Sequence, residues 1–145
     1  MTTKLAIGLD GHGSGERALN YAQHMAELIG DCELLIIYVV EWSPFSFQTP
    51  EENAERHKRR EEEISTAMER VVNPAIKKLE KAGLKAKGVV RHGDVAQTLI
   101  SISEEEGAEQ IIVCRSSEGG FTKRVFGSAT SNLVSSAPMP VIVVN

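Results

Sequence analysis

Long apolar runs are missing from this chain. No stretch approaches the ~20 consecutive apolar residues of a membrane span. The first residues, MTTKLAIGLDG, enter a strand directly, without the apolar core or cleavage site of a secretory leader. The expectation is a cytoplasmic protein with no membrane insertion. Cysteine is scarce: Cys32 and Cys114 each lie in or beside an apolar run and form no CxxC or Cys/His spacing. Two reduced, partly buried thiols are expected, not a disulfide or a metal centre. His12, His24, His57 and His92 make no HxxxH or HxH pair, so a zinc or iron site is not expected either. Aromatic residues make up only 5%, and the formal net charge is a modest -4. Neither nucleic acid nor an anionic membrane is an expected partner for such a surface.

What is present suits a folded domain. With 145 residues, 41% hydrophobic and 25% charged, the chain is long enough to bury a real core and is read as one domain over 1–145. KLAIGL (4–9) reads as a buried strand, and GHGSGE as a turn with Ser14 as the cap of the next helix. Ala18, Ala22, Met25, Ala26 and Ile29 then recur at helical spacing, and Gly30 supplies the stop. LLIIYVV (34–40) shows no alternation, which is the pattern of a strand covered on both faces of a parallel sheet.

EWSPFSFQTP (41–50) is a loop whose Trp42, Phe45 and Phe47 are available to cover a ligand or a partner surface. A charged helical stretch follows, with apolar Ile64, Met68, Val71, Ala75 and Leu79, and Pro74 is expected to kink or split it. Its mixed-sign charge run reads as a solvated helix face. A third strand spans 84–91, His92-Gly93-Asp94 reads as a turn with Asp94 as a cap, and a helix carries Val95, Leu99 and Ile102 to a stop at Gly107. A fourth strand covers 111–114. A last helix over 128–137 turns Ala129, Leu133 and Val134 inward, and 141–144 is the fifth strand. Strand and helix alternate throughout, so the fold class is a five-stranded α/β sandwich.

Ligands of open parallel sheets bind beyond the carboxyl ends of the strands. The segment from Ile111 to Val144 is the most informative there. IIVC is followed by a small, polar and basic loop, RSSEGGFTKRVF, and then by Gly127-Ser128 opening a helix. Free backbone N–H groups and the positive end of a helix dipole suit a phosphate. Other phosphate motifs do not fit. Gly11-His12-Gly13-Ser14-Gly15 lacks the sixth position of GxGxxG, and no acidic residue closes the second strand. GxxxxGK[ST] is absent. A phosphoacceptor receiver domain would need an acidic cluster after strand one, an aspartate ending strand three and a lysine ending strand five; only Asp10 is there.

The whole chain resembles the universal stress protein (UspA-type) domain. The resemblance rests on KLAIGLDG, LLIIYVV, Gly93-Asp94 before an acidic helix ending EEEGAE, and above all FGSATSNLVSSAPMPVIVV. It implies a Rossmann-like sheet in the order 3-2-1-4-5 with helices on both faces. It also implies a homodimer paired through the last strand (Val141, Ile142, Val143 and Val144), acting in stress response or signalling with an unidentified regulatory protein partner. An uncovered VIVV edge would otherwise invite aggregation.

ATP-binding members carry G-x-x-G-x9-G-[ST] between strand four and the last helix. This chain has Cys114-Arg115-Ser116-Ser117, nine residues, then Gly127-Ser128, so half of that motif matches. Serine at 117 disfavours a left-handed conformation by roughly 1–2 kcal/mol where one is required, yet brings a hydroxyl for a phosphate oxygen. Arg115, Lys123 and Arg124 against Glu118 leave the loop net positive.

The resemblance carries an adenine-nucleotide site onto Gly8, Leu9, Asp10, Val39, Val40, Val113, Arg115, Ser116, Ser117, Gly127, Ser128 and Ala129. The ligand class is ATP or another adenine nucleotide, with magnesium as an accompanying cation. Plainer roles compete: a turn or cap for Asp10, core packing for Val39 and Val40, capping alone for Ser128. His12 and His92 are expected to be solvated loop histidines. A nucleotide-free regulatory dimer is the alternative reading. A slow nucleotide hydrolase is the third reading; dedicated catalysis is not expected, because no nucleophile–base pair, metal cluster or general base accompanies the phosphate loop.

Overall fold

The computed structural model of the chain describes residues 2–9, 15–41, 49–115 and 128–145. The readings that fall on Asp10, the 11–14 turn with its Ser14 cap, residues 42–48, and Ser116 to Gly127 lie outside the described residues. Five strands, β1 (Thr3–Leu9), β2 (Cys32–Glu41), β3 (Lys85–Gly93), β4 (Gln110–Cys114) and β5 (Val141–Val144), form one sheet in the order β3-β2-β1-β4-β5. Every pairing is parallel.

The helices are α1 (Gly15–Ile29), α2 (Pro50–Ala67), α3 (Asn73–Lys81), α4 (Val95–Glu106) and α5 (Ser128–Ser136). Alternating side chains of each strand feed two cores. Leu5, Ile7, Leu34 and Ile36 pack with Ala18, Leu19 and Ala22 of α1 and Ala75 and Leu79 of α3. Ala6, Leu35, Ile37 and Ile111 pack on the other face with Leu99 and Ile102 of α4 and Leu133 of α5. Both faces of β2 are therefore covered, which is why its sequence does not alternate.

Local chemistry sets most boundaries. The Asp94 carboxylate accepts the Gln97 backbone N–H at 3.0 Å and caps α4, and Gly107 ends that helix at φ 75°. Thr49 and Glu52 exchange side-chain and backbone bonds, each 3.2 Å, to start α2. The stretch before Pro74 divides as expected, through a π turn at Met68–Val72. Proline has no N–H for the Arg70 carbonyl, and the chain widens so that Asn73 N–H donates to Met68 O.

That wider turn moves the inward position from Val71 to Val72, which is 0% exposed. Other expectations also need correction. Val134 is 55% exposed because α5 is short and rests on the sheet through Leu133. Ile29, at the end of α1, is exposed as well. His92 and Gly93 belong to β3 instead of a turn, since β2 runs on to Glu41 and pairs with them.

Candidate functional site

Strand order reverses between β1 and β4: β1 leads to β2 on one side and β4 to β5 on the other. The carboxyl ends of β1 and β4 therefore open the crevice where such folds take ligands. Gly8 pairs with Val113 across this line. A Cβ on Gly8 would stand 3.1 Å from Val113 Cγ1 and 3.2 Å from Leu99 Cδ1, so glycine lets α4 close onto the sheet here. Val113 and Val39 are buried in the α4 layer, where their side chains serve the core.

The end of β4 is held from two sides. Arg115 N–H donates to Val144 O at 2.7 Å, and the Arg115 carbonyl accepts from Arg17 Nη2 at 3.3 Å. Ser128, exposed at the start of α5, lines a cleft of about 240 Å³ with Ala129, Asn132, Glu41, Gly93, Asp94 and Val95. Two acidic residues, Glu41 and Asp94, thus line the same cleft as Ser128, and the Asp94 carboxylate is engaged in capping α4.

Leu9 and Val40 lie on the other face of the sheet. Leu9 borders a cleft of about 200 Å³ between α1 and α3, with Glu16 and Lys78. Val40 borders one of about 520 Å³ beneath α2, with Tyr38, Arg59 and Arg70. Among the described residues, then, the sequence-derived set falls into a Ser128–Ala129 cleft, a Gly8–Val113 packing contact, an Arg115 exit and two separate clefts. Asp10, Ser116, Ser117 and Gly127 lie outside the described residues.

His92 is not a solvated loop histidine. Its side chain is 8% exposed, and Nε2 lies 3.1 Å from Glu63 Oε2, which ties β3 to α2. Sequence reasoning missed Arg17 and Asn132; Glu41 and Asp94 fall in the strand-end segments 40–43 and 92–94 where ligands are sought, but neither was assigned a site role. Arg17 carried a signal, as a cation in the first turn of a helix just after β1. Glu41 carried a signal as the residue directly after the apolar run 34–40. The expectation that no acidic residue closes the second strand was wrong: β2 runs on to Glu41 through its pairing with Gly93.

A doubly wound parallel sheet with its crevice at the β1–β4 reversal defines a Rossmann-like α/β protein. The Universal stress protein family profile matches residues 1–145, and the chain belongs to that family. A curated relative, Universal stress protein MJ0577 of Methanocaldococcus jannaschii, is 30% identical over 83 residues, 57% of this chain and 49% of that protein. The match thus spans about half the length of that relative. Among solved structures, the universal stress protein UspA from Lactobacillus plantarum superposes with a TM-score of 0.82 at 19% identity, covering 99% of this chain and 97% of its own. A universal stress protein in complex with cAMP aligns at TM-score 0.66 and 19% identity, over 99% of this chain and 97% of its own. One from Archaeoglobus fulgidus in complex with dAMP aligns at 0.61 and 16%, over 100% and 98%. At these identities the structural likeness establishes the fold. No helix among the described residues is long and apolar enough to cross a membrane.

Proposed function

We propose that this chain is a cytoplasmic regulatory protein of the stress response that binds an adenine nucleotide at the carboxyl ends of β1 and β4 and works as a homodimer. The observation that carries the reading is the β1–β4 strand reversal with Ser128 at the head of α5, in a chain matched to the family along its whole length. Relatives of the same fold take cAMP and dAMP, which supports an adenine nucleotide as the ligand class. Gly8, Leu9, Asp10, Val39, Val40, Val113, Arg115, Ser116, Ser117, Gly127, Ser128 and Ala129 remain the proposed binding set. The proposed role is regulatory, not catalytic.

The dimer proposal rests on the contrast between the two sheet edges. The β3 edge carries Lys85, Lys87 and Arg91, the last two ion-paired to Glu106 and Glu105, and such charges deter strand pairing. The β5 edge, Val141 to Val144, carries no charge. Ile111 N–H donates to Pro140 O and Arg115 N–H to Val144 O, so alternate residues of β5 face β4. Val141 and Val143 therefore offer their backbone groups to a second copy. Val143→Pro should remove one outward N–H, leave the bonds to β4 intact and shift sedimentation from dimer to monomer.

Cys114 and Ser117 in place of the motif glycines, and Glu41 and Asp94 beside Ser128, favour the nucleotide-free alternative. Calorimetric titration with ATP and AMP separates the two. A bound nucleotide at about 100 times its Kd should stabilise the fold by ~2.7 kcal/mol. Absence of any heat or thermal shift at millimolar nucleotide would sink the binding reading. Ser117→Gly adds a sign: tighter binding identifies the serine as an obstacle, weaker binding as a ligand.

A further inference from the structure

The first turn of α1 holds Glu16 and Arg17 side by side, and the fold pulls them apart. Glu16 Oε2 accepts from Lys78 Nζ at 2.8 Å on the α3 side. Arg17 reaches the other way and donates Nη2 to the carbonyl of Arg115 at 3.3 Å. Helix α1 follows β1, and Arg115 follows β4, so this contact links the elements that leave the two strands between which the sheet order reverses. Glu16 is engaged by Lys78, and among the described residues no carboxylate pairs with Arg17.

Helix stability does not account for Arg17. A cation in the first turn opposes the helix dipole, which favours an anion there. A single exposed bond to a carbonyl contributes little to folding. A guanidinium carries five N–H donors and no acceptor, and among the described residues the Arg115 carbonyl is its one hydrogen-bond partner. A second guanidinium, that of Arg115 itself, belongs to the residue Arg17 holds. Such a charge, set where the helix does not want it and with donors to spare, suits an anion arriving from solution.

We propose that Arg17 is a binding residue of the crevice that takes the phosphate of the bound nucleotide, with Arg115 as the second cation. This rests on the nucleotide reading of the same crevice. It goes beyond that reading in naming a residue on α1 as the determinant of phosphate affinity. Binding then replaces a weak bond to a carbonyl with a charge-assisted pair.

Calorimetric titration of ATP, AMP and adenosine into wild type, Arg17→Gln and Arg17→Lys tests it, with thermal melts of each unliganded protein. Arg17→Gln should weaken ATP and AMP at least tenfold, leave adenosine within twofold, and melt no lower than wild type. Arg17→Lys should recover part of the loss. Unchanged ATP and AMP affinity in Arg17→Gln overturns the proposal while leaving the crevice reading intact. So does an equal loss for adenosine together with a lower melting temperature, which would make Arg17 a structural clamp. Wild type that binds none of the three overturns the crevice reading and the role of Arg17 with it.

Discussion

Gly88 of β3 lies directly beneath Val72 of the π turn, so close that a Cβ on the glycine would overlap Val72 Cγ1. The same Cβ would stand 2.9 Å from Ile76 Cδ1. The π turn and this glycine are two halves of one arrangement. The wide turn presents Val72 to the sheet, and the missing side chain on β3 lets it seat there.

Gly88→Ala should therefore destabilise the protein by roughly 1–3 kcal/mol, the usual cost of forcing extra volume into a packed layer. Urea unfolding measures it. The double variant Gly88→Ala/Val72→Ala should lose less than the sum of the single losses, because the second change vacates the space the first demands. Strict additivity would show that the two residues do not share that space.

Asp94 has two separable properties, its hydrogen bond and its charge. Asp94→Ala should cost about 1 kcal/mol through loss of the α4 cap, whereas Asp94→Asn keeps an acceptor for Gln97 N–H and should stay within a few tenths of wild type. Thermal melts of the two variants check this. Equal losses in both would mean the charge, not the bond, supports α4.

The two thiols should differ in reactivity. Burial, and secondarily Asp31 nearby, pushes the Cys32 thiol up from its ordinary range, and its side chain lies in the α1 core. Cys114, at the exit of β4, is only half-buried. Alkylation of the native protein at neutral pH, followed by peptide mass mapping, should label Cys114 first and Cys32 only after unfolding. Simultaneous labelling would contradict the packing of β2.

Glu105 should titrate below the usual glutamate range, held down first by its hydrogen bonds from Arg91 and then by the Arg91 charge. A carboxylate depressed in the folded state stabilises it at pH above the unfolded pKa. That contribution disappears as pH falls through the lower folded value. NMR titration of the Glu105 carboxyl should show the shift, and Arg91→Gln should return it to the ordinary range. The pair is solvent-exposed, so salt should weaken the effect.

Much of the fold was legible in the chain as written. The unbroken apolar run of β2, the Asp94 and Gly107 caps and the Pro74 interruption each depend on a residue and its near neighbours, and each stands where the spacing put it. Val72 in place of Val71, and the exposure of Val134 and Ile29, were not legible. A helical pattern does not say where one extra residue widens a turn, or how far a short helix reaches past the sheet it covers.

The site divides along the same line. The serine heading α5 follows from the sequence, because a Gly-Ser pair before a helical run is a local signal. The carboxylates of Glu41 and Asp94 beside Ser128 do not, since residues from the ends of β2 and β3 meet α5 only when the sheet is assembled. Nor does the pairing of Arg17 with Arg115, 98 positions apart in the chain. Local spacing determined the elements and the helix cap. The parallel register and strand order, held by backbone bonds between distant segments, decided which charges face the crevice.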